Sequence, residues 1–333
     1  MTDLARSVDL DDAKIAQALD QHRAGLTAHC YRMLGSAFDA EDAMQETFIR
    51  AWRAFDRFEG RAEVRTWLYR IATNVCLELL NGRARRALPM SLGPPSPGDG
   101  DLGTPLVESA WVSPIPDGRT TPPDADPADS VAARDSIRLA FIAALQHLRP
   151  KPRAVLLLRD VLGWHADEVA EALGTTVTAV HSMLRRARRV LAQRDTSQDN
   201  GAALGESEWK LVARYVDAFQ RFDIDALVAL LRDDATLSMP PVPGWLRGRK
   251  AIARFWRGSG SECRGSRLLP TRANGFPAFG SYRPAPGGDY EPLAIQVLEI
   301  ADGRITGVHA FIDPGLFPLF ELPERLTTTN PLA

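Results

Sequence analysis

Apolar side chains recur every three or four residues along two neighbouring stretches near the amino terminus. The first stretch carries Met44, Phe48, Ala51, Trp52 and Phe55, and the second carries Val64, Trp67, Leu68, Ile71, Ala72, Val75 and Leu79. This is the spacing of one face of an α-helix. The pattern therefore predicts a helical domain over residues 10–88, with these two faces in its core.

A second helical pattern occupies residues 130–194. Ile137, Phe141, Ala144, Leu145 and Leu148 share one helical face. A proline-containing turn is expected at 149–152, followed by a helix over 154–162 and two shorter helices. This region is predicted to be a second all-α domain.

Residues 205–325 combine helical and extended patterns. Helices are predicted over 209–222, 225–231 and 250–256, and extended segments over 235–240, 294–300 and 305–312. Asp302 and Gly303 separate the last two segments, and this dipeptide favours a type I′ hairpin turn. The sequence predicts an α+β domain.

Between the two helical domains lies a linker, defined as residues 89–129, that is crowded with Pro, Gly, Asp and Ser. Such a composition breaks helices and resists core formation. One apolar stretch, 106–115, interrupts it and contains Trp111. A shorter break at 195–205 separates the second helical domain from the third.

The formal net charge of −2 argues at first against a protein that binds nucleic acid. The charge is segregated, however: residues 46–86 carry +4 and residues 134–194 carry +6, whereas residues 87–133 carry −6. Each helical domain therefore holds a basic block suited to phosphate, and an acidic linker separates the two blocks.

The three cysteines, Cys30, Cys76 and Cys263, lie far apart in the sequence. They form neither a Cys-x-x-Cys pair nor a Cys/His cluster, so no zinc site, other metal site or disulfide framework is expected. No cofactor motif occurs. The sequence has neither an apolar run of membrane-spanning length nor a signal peptide, which favours a reducing, cytoplasmic location without membrane association.

The sharpest local motif runs from Ala166 to Arg185. Ala170, Gly174 and Val180 have the spacing of a helix-turn-helix, in which a small residue, a turn glycine and an apolar anchor let two helices pack. The second helix is expected to bury Val177, Val180, Leu184, Ala187 and Leu191. Outward side chains would contact bases or phosphates; these are Thr176, Thr178, His181, Ser182, Arg185, Arg186 and Arg189. The alternative is a basic hairpin without a ligand.

Two polar faces in the first domain carry less specific signals. Asp42, Gln45 and Glu46 share one helical face, which by itself indicates only a solvated surface. The next helix presents Arg65, Arg70 and Asn74 opposite its apolar stripe. Aromatic residues interleaved with arginines are typical of surfaces that bind single-stranded nucleic acid, although for Trp67 itself a place in the core is the better interpretation.

These residues resemble a known family. The stretches DAEDAMQETFIRAWRAFDRFEGR (39–61) and VRTWLYRIATNVCLELL (64–80) resemble region 2 of bacterial sigma-70 factors of the extracytoplasmic-function type. Residues 148–191 resemble region 4 of the same family. The resemblance implies an RNA polymerase sigma factor that binds the core enzyme and promoter DNA, recognises the −35 and −10 elements, and helps to melt the duplex.

The resemblance also implies roles for individual residues. Binding to the clamp of the largest polymerase subunit would fall to Asp42, Gln45, Glu46, Phe48, Ile49 and Arg53. Capture of the −10 element would fall to Arg65, Trp67, Arg70 and Asn74, and the helix-turn-helix would read the −35 element. In this family the linker runs through the polymerase, for which an acidic segment is suited. An anti-sigma protein is a further partner that the resemblance allows.

The third domain resembles the SnoaL-like group, whose cone-shaped α+β fold packs helices on a curved sheet. Trp245, His309 and Phe311 are candidate pocket residues for a small ligand. Asp225, His309 and Asp313 could act as acids or bases, but a helix cap, a strand position and a turn explain them equally well. We therefore expect a regulatory domain without catalytic activity. The alternatives are a cyclase-like or isomerase-like enzyme tethered to a DNA-binding segment, and a ligand-responsive regulator independent of polymerase.

Overall fold

The computed structural model describes residues 2–55, 58, 63–98, 101–121, 135–193 and 205–327, with side chains in the first helix described from Ile15 onward except at Ala18. The chain divides into two compact units. The first unit consists of residues Met1–Arg85 and Gly118–Ser197, and the second of Arg86–Asp117 and Gln198–Ala333. Most of the predicted linker therefore belongs with the carboxy-terminal domain, while its residues 122–129 lie outside the described part of the chain.

Three helices form the amino-terminal half of the first unit: α1 (Thr2–Leu34), α2 (Ala37–Ala54) and α3 (Val64–Leu79). Gly35 has a φ of 72°, which allows the chain to turn sharply between α1 and α2. The Ser36 hydroxyl then accepts a hydrogen bond from the Asp39 amide and caps α2. The buried faces of all three helices form a common core, as the periodicity predicts.

The other half of the first unit contains α4 (Leu139–Gln146), α5 (Pro150–Leu156), α6 (Ala166–Ala172) and α7 (Val177–Ala192). A π-helical turn, Leu157–Val161, extends α5. The expected turn at 149–152 is wrong, because Pro150 occupies the first position of α5, where the missing amide proton costs nothing. Gly174, with a φ of 58°, makes the turn between α6 and α7.

One expectation about the first unit is corrected, and one contact was not expected. Trp52 was assigned to the core but is 45% exposed, because α2 buries the small residues Ala40, Ala43 and Ala51 on the face that meets its neighbours. Cys30 and Cys76 are distant in sequence, yet the packing of α1 against α3 brings their buried thiols within hydrogen-bonding reach. Burial raises the pKa of the Cys76 thiol, and the neighbouring Cys30 raises it further.

The second unit has the predicted α+β architecture. Its elements are α8 (Glu206–Gln220), α9 (Ile224–Leu230), β1 (Leu231–Ser238), β2 (Trp245–Arg247), α10 (Arg249–Arg257), β3 (Arg267–Ala273), β4 (Phe276–Pro284), β5 (Tyr290–Ala301) and β6 (Arg304–Phe311). The six strands form one sheet in the order β2-β1-β6-β5-β4-β3. The β1 and β6 strands are parallel, and the other neighbouring pairs are antiparallel.

Short 3₁₀ turns complete the described structure. They lie at Pro89–Ser91, Glu108–Ala110, Ser259–Cys263 and Pro314–Leu316, and a single helical turn lies at Asp117–Thr120. Among the described residues, no helix is both long enough and apolar enough to cross a bilayer.

Two hairpins shape the sheet. Asp302 and Gly303 both have positive φ, 51° and 67°, which confirms the type I′ turn expected between β5 and β6. The β3–β4 hairpin was not anticipated, although its turn residues Asn274 and Gly275 carry the same signal and also have positive φ, 55° and 79°.

Helices α8, α9 and α10 cover one face of the sheet. Leu237, Leu298 and Val308 point toward them and join a continuous apolar core with Tyr215 and Trp256. Because successive side chains in a strand alternate between faces, the neighbours of these strand residues point the other way. The second face thus carries Ser238, Val297 and His309.

Candidate nucleic-acid and protein interfaces

The second helix of the helix-turn-helix, α7, presents a basic outer face. Its buried contacts are made by Val180, Leu184 and Ala187. The side chains that remain exposed are Thr178, His181, Arg185, Arg186 and Arg189, whereas Ser182 is half-buried. The structure therefore places these predicted reading residues on one accessible helix.

Three positions on α7 differ from the expectation. The Thr176 hydroxyl accepts a hydrogen bond from the Ala179 amide at 3.2 Å, so this side chain caps the helix. Val177, expected in the core, is 41% exposed, and Leu191 is only half-buried. The spacing of Val177 fits the apolar stripe, but the residue stands at the first position of α7 and is covered less than Val180 and Leu184.

Arg188 differs from its basic neighbours because it is already paired. Its guanidinium donates two hydrogen bonds to the Asp160 carboxylate, at 2.9 and 2.7 Å. These hydrogen bonds raise the pKa of Arg188. The side chain thereby ties α7 to the end of the π-helical turn, which distinguishes it from the exposed Arg185.

The predicted −10 residues lie along α3. Arg65 and Arg70 are exposed, and Asn74 is half-buried. Trp67 packs against Phe58, with ring centroids 5.0 Å apart, and against Phe55 at 6.3 Å. Trp67, Ile71 and Asn74 also line an open groove of about 960 Å³ that extends to residues 149–152 at the start of α5. Trp67 is therefore half-buried: it packs on two aromatic rings and also lines the groove.

On α2, the polar side chains Asp42 and Gln45 are exposed, whereas Glu46 is engaged by Arg50. Arg50 also donates two hydrogen bonds to Glu78 of α3, at 2.9 and 2.7 Å. These contacts raise the pKa of Arg50 and lower that of Glu78. The Glu46–Arg50–Glu78 chain fixes α2 against α3, and Glu46 is thus only partly free for a partner.

A second groove, of about 460 Å³, lies between α1 and α2. Its lining includes the predicted contacts Phe48, Ile49 and Arg53, together with Trp52, which sequence reasoning had assigned to the core. The Arg23 guanidinium lies 4.7 Å from the centre of the Phe48 ring and holds that ring in place. Exposed aromatic and apolar groups beside a cation are typical of protein-binding surfaces.

Two buried arginines join the halves of the first unit. Arg153 of α5 donates to the Met33 carbonyl at the end of α1, to the Gln146 side chain at 2.7 Å and to the Leu148 carbonyl at 3.0 Å. Arg32 of α1 binds the Ser136 hydroxyl at 2.7 Å. Burial lowers the pKa of each arginine to about 10, which leaves both guanidinium groups charged at neutral pH.

The predicted pocket residues Trp245, His309 and Phe311 are all buried. Their register places them on the sheet face opposite the helices. There the Ser238 hydroxyl and His309 Nδ1 lie 2.8 Å apart, and His309 Nε2 lies 3.4 Å from Glu299 Oε1. Between the helices and the sheet, by contrast, Tyr215 donates to Gln296 at 3.0 Å.

The two candidate acidic groups have structural contacts. Asp223, rather than Asp225, caps α9 by accepting from the Ala226 amide at 3.0 Å, and Asp225 instead pairs with Arg257 at 2.5 Å. The Asp313 carboxylate accepts from the Gly315 amide at 2.9 Å, which confirms it as a turn former.

A docked segment, defined as residues 86–117, lies along the second unit. The Trp245 indole donates to the Gly93 carbonyl at 2.9 Å, and the Ser96 amide donates to the Trp245 carbonyl at 2.7 Å. The Gly244 amide binds the Leu102 carbonyl at 2.7 Å, and the Leu106 amide binds Pro241 at 2.9 Å. Contact is close enough that a Cβ on Gly244 would overlap Leu102.

The docked segment closes on itself and then reaches the β3–β4 turn. The Ala87 amide binds the Ala110 carbonyl, and the Val112 amide binds Ala87 in return. Beyond this closure, Ile115 exchanges hydrogen bonds with Asn274 at 3.0 and 3.1 Å. Asp117 pairs with Arg272 at 3.1 Å. A Pro-rich composition therefore folds here by pairing with a preformed sheet.

The two basic helical modules and the appended α+β domain define a multidomain, DNA-binding transcription factor. Residues 18–86 match the sigma-70 region 2 family, residues 138–191 match sigma-70 region 4, and residues 212–308 match the SnoaL-like domain. The chain is 47% identical to the ECF RNA polymerase sigma factor SigG of Mycobacterium tuberculosis, over 92% of this chain and 83% of that one.

The chain therefore belongs to the extracytoplasmic-function (ECF) family of RNA polymerase sigma factors, and the function expected from the sequence is confirmed. It is also 28% identical to SigJ of the same organism, over 93% of this chain and 94% of that one. The crystal structure of SigJ shares the fold, with a TM-score of 0.59 at 23% identity over 93% of this chain and the whole of that one. This family consists of sigma factors and not of enzymes.

Proposed function

We propose that three surfaces of the first unit carry out promoter recognition. The groove between α1 and α2, with Phe48, Ile49 and Arg53, would receive the polymerase clamp, with Asp42, Gln45 and Glu46 as polar contacts. The groove along α3 would receive the −10 strand, and α7 would read the −35 element. The observation that carries this assignment is the exposure of the basic side chains, with the aromatic Phe48 and Trp67 half-buried beside them, on helices whose opposite faces are buried.

Reconstitution tests this assignment directly. The purified chain combined with core polymerase should produce transcripts that start at defined promoters, and transcription should fail without the chain. If the chain instead binds duplex DNA equally well with and without core enzyme, a polymerase-independent regulator becomes the better description.

The carboxy-terminal domain, in this proposal, modulates initiation by retaining the docked segment. Several hydrogen bonds from Trp245, Gly244 and Asn274 hold this segment on the domain. A segment paired in this way has to be released before it can follow a path through the polymerase. Modulation would therefore act on the amount of active complex, while the choice of promoter stays with α3 and α7.

The test combines Trp245→Phe with Asn274→Ala, which removes the indole and amide contacts but keeps the domain. Transcript yield should change, with the promoter consensus unaltered. Trp209→Phe is the matched control, because Trp209 is an exposed tryptophan of the same unit. An unchanged yield, or a changed consensus, would contradict this mode of regulation.

We further infer that the carboxy-terminal domain has no catalytic activity and that the protein works in the cytoplasm, where core polymerase is found. Asp225 and Asp313 are committed to an ion pair and a turn, and His309 lies buried between Ser238 and Glu299. An anti-sigma protein and a small ligand of this domain stay predictions, which affinity capture with the full chain would test.

A further inference from the structure

Val177 is an exposed apolar residue at the first position of α7. It is 41% exposed, whereas Val180, Leu184 and Ala187 on the same helix are buried. The preceding residue, Thr176, caps the helix. The start of the helix is therefore fixed, and Val177 keeps about two fifths of its surface open to solvent.

Folding gives no reason for a valine here. A β-branched residue has a lower helix propensity than alanine or the long polar residues. With 41% of its surface exposed, the residue also forgoes a substantial part of the free energy that full burial would provide. The side chain is thus better explained by contact with something outside the chain than by the stability of the helix.

Its neighbours indicate where that contact lies. His181 follows four residues later, so it shares a helical side with Val177, and both His181 and the adjacent Thr178 are exposed. In a helix-turn-helix the first turns of the second helix enter the major groove and meet base edges. An apolar side chain at this site therefore faces base edges.

The major groove offers one apolar feature, the C5-methyl group of thymine, among hydrogen-bond donors and acceptors. We propose that Val177 is a specificity-determining residue that packs against the methyl group of a thymine in the −35 element. The inference rests on the proposed assignment of α7 to that element. It adds an apolar contact to a face otherwise made of hydroxyl, imidazole and guanidinium groups.

The test removes the methyl group from the DNA and the isopropyl group from the protein. The holoenzyme first selects a promoter from a library with a randomised −35 element, and each thymine of that element is then replaced by deoxyuridine. At one position the wild-type holoenzyme should bind about fourfold more weakly, the value of one buried methyl group. Val177→Ala should bind thymine and deoxyuridine equally at that position.

Val190→Ala is the matched control, since it truncates a valine at the far end of the same helix, and it should keep the preference for thymine. Val177→Thr preserves the volume and guards against a loss of folding in the alanine variant; it too should show a reduced preference. If deoxyuridine has the same effect on the wild type and on both Val177 variants at every thymine, the proposal is overturned.

A second variant, Arg185→Ala, tests the assignment of α7 to the −35 element separately from the contact between Val177 and the thymine methyl group. A loss of −35 dependence in Arg185→Ala, without coupling between Val177 and the methyl group, would overturn the Val177 contact alone. If Arg185→Ala leaves −35 dependence intact and no coupling is found, both the contact and the assignment of α7 are overturned.

Discussion

Arg70 of α3 and Glu171 of α6 form an ion pair, with 3.2 Å between Nη1 and Oε1. Arg70 is one of the residues proposed to bind the −10 strand, and Glu171 belongs to the first helix of the helix-turn-helix. A carboxylate therefore occupies the place where a DNA phosphate would bind Arg70. In the proposed assignment, one DNA-binding module of the first unit thus pairs with a cation of the other.

Glu171→Gln should consequently strengthen DNA binding by the free chain. Removing the carboxylate frees Arg70 to bind phosphate. Because both side chains are exposed, the affinity for DNA should rise by no more than about fivefold. The measurement is fluorescence anisotropy with a single-stranded oligonucleotide of the −10 non-template sequence, at low and moderate salt.

Asp167→Asn provides the control, because it removes the same charge from an exposed position of the same helix. Its affinity for the oligonucleotide should match that of the wild type. Equal gains in the two variants would show that net charge alone, and not the release of Arg70, governs binding.

His29 makes the stability of the first unit depend on pH. Its ring is buried beside Thr73 and Tyr69. Burial lowers the pKa of His29 to about 3, and the Arg32 guanidinium contributes to this shift. Between pH 6.5 and 3 the unfolded imidazole binds a proton that the folded one does not, so stability falls as the pH falls. The loss should reach about 2 kcal/mol at pH 5.

Urea unfolding followed by far-ultraviolet circular dichroism at pH 7 and pH 5 measures this effect. The difference in unfolding free energy between the wild type and His29→Gln should shift by about 2 kcal/mol between the two pH values. His181→Gln, at an exposed position, should show no such shift. A parallel response of all three proteins would assign the pH dependence to other groups.

Arg185 and Arg188 should respond differently to truncation. Arg185→Ala should weaken recognition of a specific −35 base by about 1 to 3 kcal/mol if the guanidinium makes a bidentate base contact. Arg188 is held by Asp160, so Arg188→Ala should leave the preferred −35 sequence unchanged. Competition binding of the holoenzyme with single-base variants of the −35 element distinguishes the two. Identical sequence profiles for both variants would reassign Arg185 to phosphate.

Arg86 should control the accessibility of the docked segment. Its buried guanidinium binds the Trp111 carbonyl at 2.8 Å and the Glu108 side chain at 3.0 Å, and so closes the segment on itself. Arg86→Ala should speed chymotrypsin cleavage within residues 86–117 by at least about tenfold, because charged hydrogen bonds are lost.

Mass spectrometry of the early fragments reports this cleavage. Arg83→Ala removes an exposed arginine that pairs with Asp39 in the first unit, and it should leave the cleavage rate unchanged. Slow cleavage of Arg86→Ala would mean that the sheet contacts suffice to hold the segment.

The periodic stripes predicted the helical domains well, because buried faces of α2, α3, α4 and α7 need apolar residues at fixed spacing. The pattern could not separate Trp52 or Val177 from the core, since spacing records the side of a helix and not what packs against that side. Trp52 lines the groove between α1 and α2, and Val177 stands at the start of α7; both are partly exposed, and both are candidate contact residues for that reason.

The docked segment shows a different limit of sequence reasoning. Composition correctly excluded long helices from residues 89–117, but backbone hydrogen bonds to Gly244, Trp245 and Asn274 require no particular side-chain pattern in the segment itself. The apolar stretch around Trp111 and Ile115 was the available signal, because buried apolar side chains mark a segment that packs. Its partner lies about 160 residues later in the chain, which only the fold reveals.

The division of the second unit into two separated stretches has a consequence for synthesis on the ribosome. Residues 86–117 are made before residues 205–327, so Ile115 emerges before Asn274, the turn residue of the sheet to which its backbone binds. The described helices of the first unit all precede that later stretch in the sequence and can fold first. A nascent chain halted near residue 200 would thus carry both helical modules, but its docked segment would have no sheet to bind. The rate of translation would then determine how long this segment stays undocked.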